Sequence, residues 1–303
     1  MSEYDRNANQ PVAGGLRGLD RLIAYGLQPA ILIALLVVWL LDPANPLMVI
    51  GSIFAAQLLL GLIEVWRPAR PEWLQSAKER LRNIAIFVGV LLGTAWIADW
   101  YVVVLAEPLA NARAALGLDV WPHEAPLLLQ AAMVFFLAEL IWYWFHRAEH
   151  RWPIVWRVSG HGAHHSFKHL GAINAGANHP FEMFLLFLPA TLVELFFGVG
   201  IATIGAAAFT AVQAAIAHAN IRLNTRGIGL LLTTNAYHIR HHSTVLEESN
   251  TNYGCAAIVW DRLFGTFGDS VVADTGTGPT EPTLWQKVLM PFKEPEDTQI
   301  APS

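Results

Sequence analysis

A chain of 303 residues in which 54% are hydrophobic and only 14% charged is too apolar for an ordinary soluble domain, and points to an integral membrane protein. Its formal net charge of -5 offers no basic field of the kind that nucleic-acid binding requires. The single cysteine, Cys255, excludes both an internal disulfide and a thiolate metal cluster, so any metal must be held by nitrogen or oxygen.

Residues 1–21 are polar, contain Arg6, Arg17 and Arg21, and precede no convincing small-residue cleavage site, so they read as a short cytoplasmic tail rather than a removable signal peptide. A helix needs about 20 apolar residues to cross a bilayer. Four stretches meet that in chain order: 24–41, 47–65, 84–106 and 126–145. A longer apolar run at 181–221, interrupted by "GVG" at 198–200, has the length of two passes and reads as a helical hairpin turning near Gly198 and Gly200. The expected fold is all-α: a multi-span transmembrane helix bundle, about four spans plus a helical hairpin, capped by a cytoplasmic helical histidine-rich metal domain. Its expected divisions are the tail (1–21), an N-terminal transmembrane region (22–125), a histidine-bearing region (126–270) and a C-terminal tail (271–303). "DTGTGPTEPT" and "EPEDTQIAPS" make that last segment read as loop and weakly ordered end.

Short cytoplasmic loops carry an excess of Lys and Arg, which tests this topology. With the N-terminus inside, residues 66–83 are inside and hold Arg67, Arg70, Lys78, Arg80 and Arg82, whereas the two outside loops hold only Arg113. Eighteen of the 19 basic residues then fall on the cytoplasmic side. The same topology lets every histidine except His123 meet at that membrane face.

Three histidine clusters stand out: "HRAEH" with His146 and His150, "HGAHH" with His161, His164 and His165, and "HIRHH" with His238, His241 and His242. Residues three and four apart are neighbours on one helical face, so each spacing aims two or three imidazoles at one point and each cluster can bind metal as a unit. A single HxxxH is more often a solvated helix face than a metal site. Three compatible clusters on one side of a membrane are hard to explain that way. Eight imidazoles exceed the four ligands of a structural zinc site, which favours two metals with about four or five ligands each. Imidazole suits iron, zinc, copper and nickel, so ligand chemistry alone leaves the metal open.

Together with "NYG" at 252–254 and "WDRLFGTF" at 260–267, the HxxxH and the two HxxHH boxes resemble the fatty acid hydroxylase and sterol desaturase superfamily over roughly residues 130–268. That resemblance implies a membrane-embedded di-iron oxidoreductase, with two Fe ions as cofactor, that uses O2 and external electrons to hydroxylate or desaturate a lipid. Carried over residue by residue, it implies His146, His150, His161, His164, His165, His238, His241 and His242 as ligands, with His218 in "AHAN" as a further ligand. His179 in "NHPFE" is a candidate ligand or ligand-orienting residue. The chain departs from many relatives in lacking an arginine near its "HP" pair, at "AGANHPFE". His169 and His123 are expected to lie outside the site.

Glu139 precedes His146 by seven residues on nearly the same helical face and is a candidate for bonding a ligand imidazole or lining the substrate path. Glu64 is expected at the inner interface beside Trp66 and Arg67. Asn252, Tyr253 and Asp261 could orient ligands through hydrogen bonds, although turn and capping chemistry accounts for them equally simply. No dinucleotide fingerprint, haem-attachment motif or cysteine cluster is present, so the resemblance implies an external electron donor of cytochrome or ferredoxin type. The lipid would enter sideways from the bilayer; a fatty acyl chain, a sterol-like polycycle, a carotenoid or the headgroup region of an amino lipid are all candidates. A zinc-dependent membrane hydrolase and a histidine-rich metal transporter remain as other readings. The first wants an HExxH-like base, and the second wants ligands near the bilayer midplane. An Ala-rich composition without an endoplasmic-reticulum retrieval signal points to a bacterial inner membrane.

Overall fold

The computed structural model describes residues 18–270 and 272–298. Most of the expected N-terminal tail, residues 1–17, and the last five residues lie outside that range. Twelve α-helices follow in order: α1 (Gly18–Leu41), α2 (Pro46–Trp66), α3 (Ala77–Leu116), α4 (Leu127–Arg151), α5 (Pro153–Ser159), α6 (His161–His165), α7 (Pro180–Phe197), α8 (Ala202–His218), α9 (Asn235–His241), α10 (Leu246–Ser249), α11 (Val259–Phe264) and α12 (Leu284–Leu289). Among the described residues there is no β-strand, only two isolated bridges. The all-helical expectation holds.

Five helices, α1 to α4 and α7, are long and apolar enough to cross a membrane, and α8 is a shorter apolar helix. The α7–α8 hairpin turns at Gly198 and Gly200, both in the left-handed region with φ of 70° and 71°. Only glycine takes such angles without strain, which is why "GVG" interrupts the apolar run there. Helix α3 corrects the expected boundaries. It runs 40 residues without a break and takes in segments read from the sequence as polar loops. The Ser76–Glu79 capping box starts it and left-handed Gly117 ends it, so the caps rather than the hydropathy set its length.

Helix α8 sits at the centre, packed against α1, α2 and α4. Its small residues, with Ala202, Ala206, Ala208, Ala215 and Ala217 all buried, let neighbouring backbones come close, as apolar surroundings require when no hydrophobic drive separates helix from lipid. Trp39 of α1 fills the hollow opposite Gly205, where an added Cβ would stand 2.5 Å from the indole ring. Gln28 of α1 donates to Gln213 of α8 at 3.0 Å, a buried polar tie across the same interface. At the outer flank α3 lies against α7, and the Tyr101 hydroxyl donates to the Phe184 carbonyl at 2.6 Å.

Two side chains behave differently from their expected roles. Glu64 is buried rather than interfacial: its carboxylate accepts from the Ala172 and Asn220 amides, both at 2.8 Å, and so joins the end of α2 to the segments flanking the histidines. Residues 272–298 are not a loose tail. Arg70 donates to Val272 O, the Gly276 amide donates to His242 O, Lys168 donates to Gly278 O, and Trp156 donates to Glu294. The polar composition that looked like disorder supplies hydrogen bonds to the histidine region instead.

Replacing Gly205 by Val should lower the thermal unfolding midpoint in detergent by several degrees, since overpacking a rigid interface costs about 1–3 kcal/mol. A midpoint equal to the wild type's would show that Trp39 can move out of the way.

Candidate metal centre

Helix α4 continues six residues past the expected span, and this extension carries His146 and His150 on successive turns. Pro153 opens α5 at a first-turn position, and Gly160 closes it with φ of 75°. The ring of His179 stands where a Cβ at Gly160 would be, so both the angle and the space demand glycine. That turn launches α6 with His161, His164 and His165. His218 ends α8, and α9 supplies His238 and His241, with His242 at its cap. All nine of these histidines are buried.

They sort into two groups. His146, His150, His161, His165 and His241 form one, and His164, His218, His238 and His242 the other, the ligand atoms within each lying no more than 4.8 Å apart. Within the first, Nε2 atoms face each other at 2.9 Å (His146–His241), 3.1 Å (His146–His161), 3.0 Å (His150–His161) and 3.2 Å (His150–His165). In the second, His218 Nε2 is 3.2 Å from His164 Nε2 and 3.1 Å from His238 Nε2, which is 3.1 Å from His242 Nε2. The expectation that each cluster acts as a unit is therefore corrected. Each HxxHH box divides between the groups: the residues four apart stay together, and the third goes to the other group. Successive helical residues are rotated by about 100°, so adjacent histidines in a box point at different centres.

Proton placement tells what the groups need. His146 Nδ1 faces Tyr253 O at 2.6 Å, His241 Nδ1 faces Thr251 O at 2.8 Å, and His218 Nδ1 faces Ala214 O at 2.8 Å. A carbonyl only accepts, so each of these rings carries its proton on Nδ1 and presents a bare lone pair at Nε2. His146 and His241 thus set two lone pairs 2.9 Å apart, which repel each other unless a cation lies between them. Burial, reinforced by neighbouring imidazoles, pushes His161, His164, His165, His238, His241 and His242 well below the ordinary histidine range, so protons do not serve as that cation near neutral pH. An all-nitrogen donor set arranged in this way fits two metal ions and, by itself, does not choose among iron, zinc, copper and nickel.

The other sequence candidates fall around this centre rather than in it. His179 belongs to neither group: its Nδ1 accepts from the Phe181 amide as the N-cap of α7, and its Nε2 donates to Val288 O at 3.1 Å. Glu139 bonds backbone, not imidazole, accepting from the Ala256 and Ala257 amides at 2.9 and 3.2 Å. Asp261 accepts from the Tyr253 and Gly254 amides at 2.8 and 2.7 Å. Asn252, in the left-handed region with φ of 59°, donates to Tyr237 O and Gly268 O. This is turn chemistry, yet the turn it fixes contains the Tyr253 carbonyl that orients His146. His169 stacks loosely near Trp73, and His123 is exposed. Sequence reasoning missed Glu149 and Glu182, two buried carboxylates that gather with His161. Glu182 was in plain view in "NHPFE", but only the fold shows that α7 delivers it to α6.

Residues 131–266 match the model of the fatty acid hydroxylase family, and all nine histidines lie inside the match. That match, over somewhat less than half of the chain, makes this region similar to the fatty acid hydroxylase family. Ornithine lipid hydroxylase OlsE of Rhizobium tropici is 28% identical to the chain over 225 residues, which is 69% of this chain and 63% of that protein. Two alkylglycerol monooxygenases are similar over shorter stretches. That of Danio rerio is 28% identical over 45% of this chain and 30% of its own length, and that of Homo sapiens is 26% identical over 48% and 32%. The chain thus spans less than two thirds of the length of these curated relatives. No solved structure matches it.

The histidine centre has a pH signature in the absence of metal. Unfolded histidines take up protons near pH 6.5, whereas the folded ones resist, so their contribution to stability is complete above about pH 6.5 and is lost progressively as pH falls below it. The unfolding midpoint of chelator-treated protein should therefore drop steeply between about pH 7 and pH 5. A flat profile there would mean that the imidazoles are not buried as neutral groups.

Proposed function

We propose that this protein is a membrane-bound, iron-dependent oxidoreductase that uses O2 to hydroxylate a C–H bond of a lipid. The observation that carries this reading is the pair of buried imidazole groups, with the Nε2 lone pairs of His146, His241 and His218 turned inward, inside a region that matches the fatty acid hydroxylase family. His146, His150, His161, His165 and His241 would hold one iron ion, and His164, His218, His238 and His242 the other. When bound, two ferrous ions supply reductive activation of O2 to an oxidant able to take hydrogen from an unactivated C–H bond.

The chain's own residues contribute geometry and seclusion. The Tyr253, Thr251 and Ala214 carbonyls fix three imidazole rings through Nδ1 and so decide where their Nε2 atoms point. Burial of all nine rings keeps water from competing for the same positions. The substrate is proposed to be a membrane lipid with a polar head, and an amino lipid of the ornithine type is the first to try, given the similarity to a protein named for that substrate. Electrons would come from an external donor docking on the histidine side, which we take to face the cytoplasm because short cytoplasmic loops carry an excess of Lys and Arg.

Metal content decides between this reading and the hydrolase or transporter. Protein purified anaerobically in detergent should carry about two irons per chain, as two groups of four or five ligands require. His164→Ala should fall towards one iron and lose O2-dependent conversion of ornithine lipid vesicles. A single zinc, unchanged in the variant, would overturn the proposal.

A further inference from the structure

His161 differs from the other rings of its group in what holds it. His146 and His241 rest their Nδ1 protons on backbone carbonyls, but His161 Nδ1 lies 2.7 Å from Glu182 Oε1. Its Nε2 meanwhile faces His146 and His150. Glu182 is in the first turn of α7, a helix that carries no member of either histidine group. Both partners are almost fully buried, at 1% exposure each. A second acid, Glu149, approaches the same nitrogen, but its Oε2 is 3.6 Å away, beyond hydrogen-bond range.

We propose that Glu182 is a positioning residue: its carboxylate holds the His161 ring through Nδ1 and makes Nε2 the strongest nitrogen donor of the five-histidine group. A carboxyl group placed to accept an imidazole N–H fixes the ring and raises the basicity of the far nitrogen. The bond also fastens α7, a helix long enough to cross the membrane, to the histidine region. Glu149 is near enough to share the burial of the pair but does not orient the ring. The inference rests on the two-metal reading of the site.

Full-length protein loaded with cobalt(II) tests it, because cobalt reports its ligand field by absorption and its affinity by competition with a chelator. In Glu182→Gln one cobalt should bind about 10–100-fold more weakly, the usual consequence of losing such a partner. Its absorption band should shift, while the other cobalt stays at wild-type affinity and so shows that the variant is folded. Glu182→Ala should weaken the same cobalt further, and Glu149→Gln should leave both unchanged. Wild-type affinity and spectrum in Glu182→Gln would overturn the inference. So would a third cobalt in the wild type that is lost in both Glu149→Gln and Glu182→Gln, since the two acids would then be metal ligands. If the wild type takes up no metal at all, the two-metal reading fails first, and that outcome is distinct from a loaded wild type matched by Glu182→Gln.

Discussion

Nine neutral imidazoles packed nitrogen to nitrogen do not hold themselves together. Lone pairs facing each other at about 3 Å, as between His146 and His241 or His161, repel, and a buried interior offers no water to separate them. For four of the rings the surroundings answer this constraint. One nitrogen of His146, His241, His218 and His161 is satisfied by Tyr253 O, Thr251 O, Ala214 O and Glu182 respectively, which leaves the other free to turn inward. Those acceptors are in turn held by groups that never meet an imidazole. Asp261 and Asn252 shape the turn bearing the Tyr253 carbonyl, and Glu139 pins the backbone just after it.

The apolar bundle supplies the rigidity that such geometry needs. Helices α4 and α8 each pass from apolar packing directly into a histidine, so no flexible linker separates the bundle from the centre. Helix α8 is able to lie deep because its side chains are small, and Trp39 occupies the volume that they leave. The buried carboxylate of Glu64 extends the same plan at the level of the loops, where two amides from distant segments converge on one oxygen.

Much of this was legible in the sequence because it depends on spacing. The apolar runs gave the crossing helices, "GVG" gave the hairpin turn, and the three histidine boxes gave the face on which the chemistry gathers. The limits of that legibility are physical. Periodicity says that residues three and four apart share a face, but it does not reveal that a 100° step sends His164 and His165 to different centres. Hydropathy marks where lipid contact ends, whereas the Ser76 cap and Gly117 mark where helix α3 ends. Acids such as Glu139 and Glu182 are ambiguous in sequence because their partners lie more than 20 residues away or on another helix. Polar residues after position 271, such as Thr275 and Glu281, look like solvated chain until the Lys168 carbonyl and amide that they bond are in place.

That last segment bears on how the protein is made. The Gly276 amide and the Val288 carbonyl reach back to His242 and His179, and Arg70, near the end of the second helix, bonds the Val272 carbonyl. Residues 272–294 follow every histidine in the order of synthesis, so these bonds form only after the ribosome has released the whole set. The order of translation therefore leaves an interval in which all nine imidazoles exist but the segment that bonds back to His242 and His179 does not.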